Sequence, residues 1–521
     1  MTTIIGTIRK NRTQTITLAA LILSFLLAIQ GMETGDWIIT ILRGLSVAAV
    51  TFLVASGFSL IFGLMDVLNL AHGTLFMIGA YVGWTAYVRP DTLLDLATPA
   101  ALFFAGLLLL PLWDRWLSRV RLAPQAARGL PWLALALGVG ALAFGFARYP
   151  ITGWDVTVYD KSPVVFGVQL DLGQLDLPAP AIVGAEQLGV SMLCLFAGGG
   201  LIALGLTLLE SRNRIAAATT RVPWRALLLA LGLALGGLAL FAWNDALTAF
   251  LVAAGTTWRF LIAVIVATLV GAGLGALMES TLIRPLYTRP IYQLMLTLGL
   301  GVIGREVVIA LWGRTQMQMP KPALFNTIGQ GCPAQTIFDA LANQCSTISF
   351  MGSRIRTYNE IFIFIVGVIV LIVVWLLLQR TRIGMIIRAG VQDRAMVEAL
   401  GINVRQVFTF VFALGVGLAA LGGVLAGPSM GVSDDMGESL LLSALIALAI
   451  GGLTSFPGAA AGSLLVGLLQ QFIVKYGQIG IALPFLEQPF KPTPPLVPAS
   501  TLLLMVIILL ALPNGLFGRK E

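Results

Sequence analysis

From residue 15 to residue 513 the sequence runs through one apolar stretch after another, most of them long enough to cross a hydrocarbon core of roughly 30 Å as a helix, which takes about 17–25 residues. The stretches fall at 15–31, 37–63, 71–88, 98–113, 129–148, 188–209, 226–243, 250–278, 291–312, 358–379, 405–427, 439–474 and 498–513. Gly451, Gly452, Pro457 and Gly458 interrupt 439–474. Proline removes a backbone donor and glycine loosens the chain there, so two short helices are expected. The pattern predicts an all-α polytopic membrane protein, a transmembrane bundle of about 14 helices, some short or broken.

Composition excludes the other classes. Of 521 residues 58% are apolar and 11% charged, against about 25% charged in soluble domains. The 57 glycines and 24 prolines suit membrane helices, which use small residues for close packing and tolerate proline breaks. A net charge of +8 does not point to nucleic acid, because the 32 Lys and Arg sit in short clusters between apolar runs. Such clusters report membrane orientation.

Lys and Arg are retained on the cytoplasmic side. Arg9, Lys10 and Arg12 place the N-terminus inside, and counting crossings places Arg115–Arg128, Arg212–Arg225, Arg284 and Arg289, Arg380–Arg405, and Arg519 and Lys520 on the same side. The alternate loops are acidic or nearly neutral, with Glu33 and Asp36, then Asp155–Glu186, then Asp434, Asp435 and Glu438. Both termini are thus expected in the cytoplasm. Residues 15–29 also have the look of a secretory signal, but Ala28-Ile29-Gln30 is a poor small-residue cleavage site, so an uncleaved helix is expected.

Two hydrophilic stretches, 149–187 and 313–357, fall outside by this count. The second holds Cys332 and Cys345, in a compartment that permits disulfides. A bond between them and two free thiols are both compatible with the spacing, since the Cα separation decides. Cys194 reads as a small buried residue.

Catalytic and energy-coupling motifs are not expected. The sequence holds no GxxxxGK[ST] phosphate loop, so ATP-driven work needs a partner. No HExxH, GxSxG or CxxC motif is expected, and the single histidine, His72, has no ligand cluster around it in sequence. Charges inside spans cost about 2.5–3.5 kcal/mol each. They are few: Arg305 and Glu306 fall in the outer half of 291–312, either as functional residues or as structural ones that reach the outer interface or pair between helices.

Two segments stand out. In Ser56–Tyr81, dense in glycine, Asn69 is a good N-cap for a helix beginning near Ala71. Asn69 and His72 either line a path at a broken-helix junction, with Ser56, Ser59 and Gly73 beside them, or simply cap and anchor the helix. In Arg380–Asn403, Asp393 suits the start of a short helix and Gly401 its C′ position. Ala395, Met396, Ala399 and Leu400 then share a side, with Arg394 and Glu398 at i,i+4. Such a helix lies on the membrane surface or docks in a partner's groove.

These segments resemble a known family. Phe62-Gly63…Asn69-Leu70-Ala71-His72-Gly73…Gly79-Ala80-Tyr81 is similar to the permease subunits of branched-chain amino-acid ABC importers, as are Glu279…Ile283-Arg284-Pro285-Leu286, Arg388-Ala389…Asp393…Glu398…Leu400-Gly401-Ile402-Asn403-Val404, Gly451-Gly452…Pro457-Gly458-Ala459 and the ending Leu512–Gly518. The motifs lie within about 37–84 and 256–518. The resemblance implies an ABC importer permease bundle: an N-terminal helix and tail at 1–36, a permease core at 37–88 and 251–521, and an inserted set of helices with an acidic outer loop at 89–250.

It also implies a bacterial inner-membrane subunit paired with a second, homologous permease, two cytoplasmic ATP-binding subunits and an extracytoplasmic solute-binding protein. No cofactor is then bound by this chain, and ATP is used by the partner. The loop 380–405 would couple to the ATPase through Gly384, Arg388, Asp393, Arg394, Glu398, Ala399 and Gly401, and the acidic 428–438 loop is a candidate for docking the binding protein. Branched-chain amino acids are the expected substrate, with urea or a short amide as the alternative. An ion-coupled secondary transporter is disfavoured because it should show midplane carboxylates.

Overall fold

The computed structural model describes residues 32–119, 124–151, 183–211, 224–287, 289–329, 331–392, 394–481 and 488–518, with scattered positions among 19–26 and 169–174. Most of the expected first span, 15–31, and most of the 149–187 loop therefore lie outside the described residues. Among these residues ten helices are long and apolar enough to cross a membrane, and three shorter apolar helices accompany them. The chain is a multi-pass membrane protein. It divides into two compact units: Met1–Val88, Val156–Gly173 and Thr256–Glu521 form the first, and Arg89–Asp155 with Gln174–Gly255 the second.

In the first unit, α1 (Thr34–Met65) and α2 (His72–Val88) lead in. The second unit carries α3 (Pro90–Leu107), α4 (Leu110–Leu117), α5 (Pro124–Arg148), α6 (Ala185–Ser211), α7 (Trp224–Ala242) and α8 (Asn244–Ala253). The first unit resumes with α9 (Thr256–Met278), α10 (Pro290–Trp312) and the short α11 (Ile337–Ala342). After the hairpin β1–β2 (Thr347–Phe350, Ser353–Arg356) come α12 (Ile363–Arg380), α13 (Arg382–Gln392), α14 (Arg394–Ala399), α15 (Val404–Met430), α16 (Met436–Gly451), α17 (Phe456–Ile479) and α18 (Leu496–Ala511).

Burial, not apolarity, separates centre from periphery in the first unit. The spanning windows of α1 and α15 are 83% and 67% buried, whereas those of α10, nearly as apolar, and of α12, more apolar than either, are 11% and 17% buried. Small residues let the central backbones meet, as membrane packing requires. A Cβ on Gly57 would stand 2.2 Å from the Gly415 carbonyl oxygen, and one on Gly73 2.3 Å from that of Gly437. These contacts bring α1 against α15 and α2 against α16.

One end of this unit is tied by ion pairs. Arg305 bonds Asp434 at 2.9 Å and Glu438 at 3.4 Å, Arg43 bonds Glu360 at 3.0 Å, and Lys475 bonds Asp36 at 2.8 Å. Arg305 thus takes the pairing option open to it in sequence. The loop at the same end pairs Met317 with Val432 across an antiparallel bridge, and Trp84 Nε1 donates to the Gln318 carbonyl at 2.9 Å. Within the loop Cys332 and Cys345 are disulfide-bonded with Cα atoms 5.6 Å apart, and Thr336 caps α11 by accepting from Asp339 N. The hairpin register aligns Thr347 with Arg356.

The second unit packs by the same small-residue rule. Gly199 of α6 lies against the Phe103 carbonyl of α3, and Thr98 donates across to the Gly237 carbonyl of α7 at 3.1 Å. Arg89 is buried in a two-bond pair with Asp91, at 2.6 and 3.0 Å. The apolar run expected at 250–278 is in fact divided: α8 ends at Ala253 and α9 starts at Thr256, because Gly255 breaks the helix while hydropathy stays high on both sides.

Candidate coupling and translocation site

The end of the first unit opposite the disulfide loop is built around the 380–405 connection. Thr381 Oγ1 donates to the Leu377 carbonyl at 2.6 Å and accepts from Gly384 N at 3.1 Å, closing the turn between α12 and α13. A Cβ on Gly384 would stand 2.2 Å from the Leu378 carbonyl, so only glycine fits this turn. Arg388 donates back to that carbonyl, stapling α13 to the end of α12. The helix α13 was not expected from the sequence. Its arginines and glycines masked a regular run that this stapling completes.

The short helix expected after Asp393 is α14. Gly401 takes φ +78° and its amide reaches the Glu398 carbonyl at 3.0 Å, the left-handed C′ geometry that glycine tolerates. Asp393 itself and the side chain of Arg394 lie outside the described residues. Val397 is buried with Ile387, Leu64 and Phe408, whereas Met396 and Leu400 are 61% and 71% exposed. Ala399 and Glu398 are exposed beside them. One residue thus anchors the helix and an apolar pair is presented outward. Asn403 then caps α15 by accepting from Gln406 N.

Behind the connection lies a cavity of about 390 Å³, bounded by Ser59 and Gly63 of α1, Gln379, Arg388 and the Thr454–Pro457 segment. The chain breaks here between α16 and α17. Gly452 takes φ +110°, Ser455 Oγ accepts from Gly458 N at 3.1 Å, and Pro457 sits in the first turn of α17. Gly451 and Gly458 lie back to back: a Cβ on Gly451 would stand 1.9 Å from the Gly458 carbonyl. The last carbonyls of α16, which a helix end leaves orphaned, are met by the C-terminal segment, where Leu516 N and Phe517 N donate to Ile450 and Gly451 at 2.8 and 2.9 Å.

Of the path candidates, only Ser59 borders this cavity, its hydroxyl donating to the Leu453 carbonyl at 3.1 Å. Ser56 bonds within its own helix to Leu53. His72 is fully buried, with Nε2 donating to the Val54 carbonyl at 3.1 Å and its ring edge-on to Phe58. Gly73 serves the α2–α16 contact. Asn69 does not cap α2 with its side chain: the turn is closed by His72 N donating to the Asn69 carbonyl at 3.1 Å, and both amide atoms of the side chain are buried without a hydrogen-bond partner among the described residues.

A second cluster escaped the sequence reading as a site. Glu279, fully buried in a π-turn that ends α9, accepts from Arg284 (2.7 Å), from Thr409 of α15 (2.6 Å) and from the Tyr287 hydroxyl. Arg284 also donates to Thr409 at 2.7 Å. Glu279 and Arg284 lie in a quoted motif, but Thr409 is 130 residues away from Glu279, and no spacing rule links them.

Among the described residues no hydrolytic centre accompanies these features. The string Gly427-Pro428-Ser429-Met430-Gly431 does match the GxSxG spacing of hydrolase nucleophiles, against the expectation of no catalytic motif. It ends a membrane helix rather than making a strand-to-helix elbow. The sole histidine is bonded to Val54 instead. Among the described residues no cluster of His, Cys, Asp or Glu forms a metal site.

A helical bundle with glycine-mediated crossings, a broken helix pair and a helical connection at a basic end suits a membrane permease. The chain belongs to the family described as branched-chain amino acid transport system, permease component, whose model matches residues 40–170 and 188–512. The match runs on through most of 89–250, beyond the two blocks that hold the motifs. It makes the chain an ABC permease rather than an enzyme.

The high-affinity branched-chain amino acid transport system permease protein BraD of Pseudomonas aeruginosa is 30% identical over 185 residues, covering 33% of this chain and 52% of that protein. LivH of Salmonella typhimurium, with the same description, is 26% identical over 269 residues, covering 51% of this chain and 77% of that protein. The fructose import permease protein FruF of Bifidobacterium longum is 31% identical over 123 residues, covering 22% of this chain and 34% of that protein. No solved structure matches the chain.

Proposed function

We propose that the chain is the translocating subunit of an ATP-driven importer of branched-chain amino acids in a bacterial inner membrane, with both termini in the cytoplasm. The observation that carries this reading is the α13–α14 connection. It holds Val397 in the core and turns Met396 and Leu400 outward on the side where the basic residues gather. In a chain without a phosphate-binding loop, that face is where a cytoplasmic ATPase engages, through Gly384, Arg388, Asp393, Arg394, Glu398, Ala399 and Gly401. A second permease, two ATP-binding subunits and an extracytoplasmic binding protein complete the assembly.

The cavity of about 390 Å³ beside Ser59 and the α16–α17 break would be the cytoplasmic vestibule. ATP-driven closure shifts the bundle between two populations, which requires the ATPase to bind them with different affinity. The amino-acid substrate follows the relatives that align over the longer stretches. The fructose permeases among the relatives favour a second reading, a sugar substrate. Uptake of labelled leucine and fructose in proteoliposomes holding the co-purified complex tests the two: leucine accumulation is expected, and accumulation of fructose alone would reject the first reading.

A further inference from the structure

In the outer half of the first unit, a cavity of about 270 Å³ opens between α1, α12, α15, α16 and α17. Its polar wall is made by Ser46, Ser429, Ser439, Ser443, Gln470 and Gln471, and its apolar wall by Val47, Val50, Ile363 and Leu440. No charged residue lines it, and Lys475, one turn beyond Gln471, is already paired with Asp36 at 2.8 Å. Two adjacent glutamines inside a spanning helix have no packing advantage, since an amide in the membrane interior is costly without hydrogen bonds. Here those bonds are barely made. Gln470 Nε2 reaches Ser443 Oγ only at 3.4 Å, and Ser429 Oγ is buried with no partner among the described residues. Ser439 and Ser443 donate to carbonyls of their own helix at 3.2 Å, which leaves their oxygen lone pairs facing outward as acceptors.

We infer that this cavity is a substrate-contact site for a small solute that is net-neutral, polar at one end and apolar at the other, the form of an aliphatic zwitterionic amino acid. This rests on the importer reading and sharpens it. The amide and hydroxyl wall offers acceptors to an ammonium and donors to a carboxylate without a fixed charge to trap either. The valine and leucine wall receives an aliphatic side chain. A sugar, with hydroxyls on every face, would leave several of them unbonded against that apolar wall, at a cost that disfavours it. The apolar body with few convergent polar groups is the usual form of a small-molecule site.

The test uses the assembled transporter in proteoliposomes. Ser443→Cys is introduced in a Cys194→Ala background, the remaining cysteines being bonded to each other, and its reaction with a methanethiosulfonate reagent is timed. Saturating leucine is expected to slow labelling at least threefold and fructose to leave it unchanged. Equal rates with and without leucine, or protection by fructose alone, overturn the assignment. Independently, Gln470→Leu should raise the KM for leucine uptake at least tenfold, while Leu464→Ala, on an exposed face of the same helix, leaves KM unchanged. An unaltered KM in Gln470→Leu also overturns it. Leucine uptake by the unsubstituted complex separates the two levels: uptake without protection removes this site alone, and absence of uptake removes the importer reading and the site together.

Discussion

At the scale of single residues, Glu279 shows how a buried charge is made tolerable in a membrane helix. It is fully buried and its two oxygens are occupied by Arg284, Tyr287 and Thr409, whereas Arg284 is one-third exposed. Removing one member of a buried pair costs about 3–5 kcal/mol because the survivor is stranded. The two members differ here in how far water reaches the survivor. Arg284→Ala strands a carboxylate out of reach of water and is expected to cost about 3 kcal/mol. Glu279→Gln keeps some of the hydrogen bonds and leaves a partly hydrated guanidinium, so about 1–2 kcal/mol is expected. Thermal unfolding of the purified protein in detergent measures both, and a larger effect for Glu279→Gln would contradict this account of the cluster. The sequence displays Glu279 and Arg284 in one motif but hides Thr409, which only the packing of α9 on α15 brings near. Gly384 and Gly401, by contrast, obey local rules of turn and C′ geometry, and their positions are legible before any fold is known. Asn69 was misleading because a backbone bond closes the turn its side chain was expected to cap.

At the scale of elements, the decisive features are ends and breaks. Ser455 begins α17 as an N-cap, and Ser455→Ala should destabilise the protein by about 1 kcal/mol. Gly458→Ala should cost more, since its Cβ would stand 2.3 Å from the Gly451 carbonyl, a backbone atom that cannot step aside. Comparing the two unfolding midpoints checks the order. The α14 helix carries a different prediction. Leu400→Asp or Glu398→Arg alters its exposed face while Val397 keeps its place in the core, so recovery of the co-purified ATPase should fall while membrane insertion is unchanged. Normal recovery and transport would remove the coupling role. The end of this helix was readable from Gly401, whereas α13 was not, because its regularity depends on Arg388 reaching back to the Leu378 carbonyl of α12.

At the scale of the molecule, the apolar runs announce a helical bundle but not its interior. In lipid, an apolar residue is as stable outside as inside, so hydropathy cannot distinguish the buried α1 from the peripheral α10. Small residues supply the missing signal: Gly57 and Gly415, and Gly73 and Gly437, mark where backbones meet. The Gly255 break between α8 and α9 was likewise invisible to a hydropathy count. The central claim is that this bundle moves amino acids by drawing on ATP bound elsewhere. It is tested most directly by uptake of labelled leucine into proteoliposomes carrying the co-purified complex and its binding protein. The account predicts accumulation that requires ATP inside the assay compartment of the ATPase and survives collapse of proton and sodium gradients. Uptake that persists without ATP and disappears with the ion gradients, from a chain that recovers no ATPase, would contradict it.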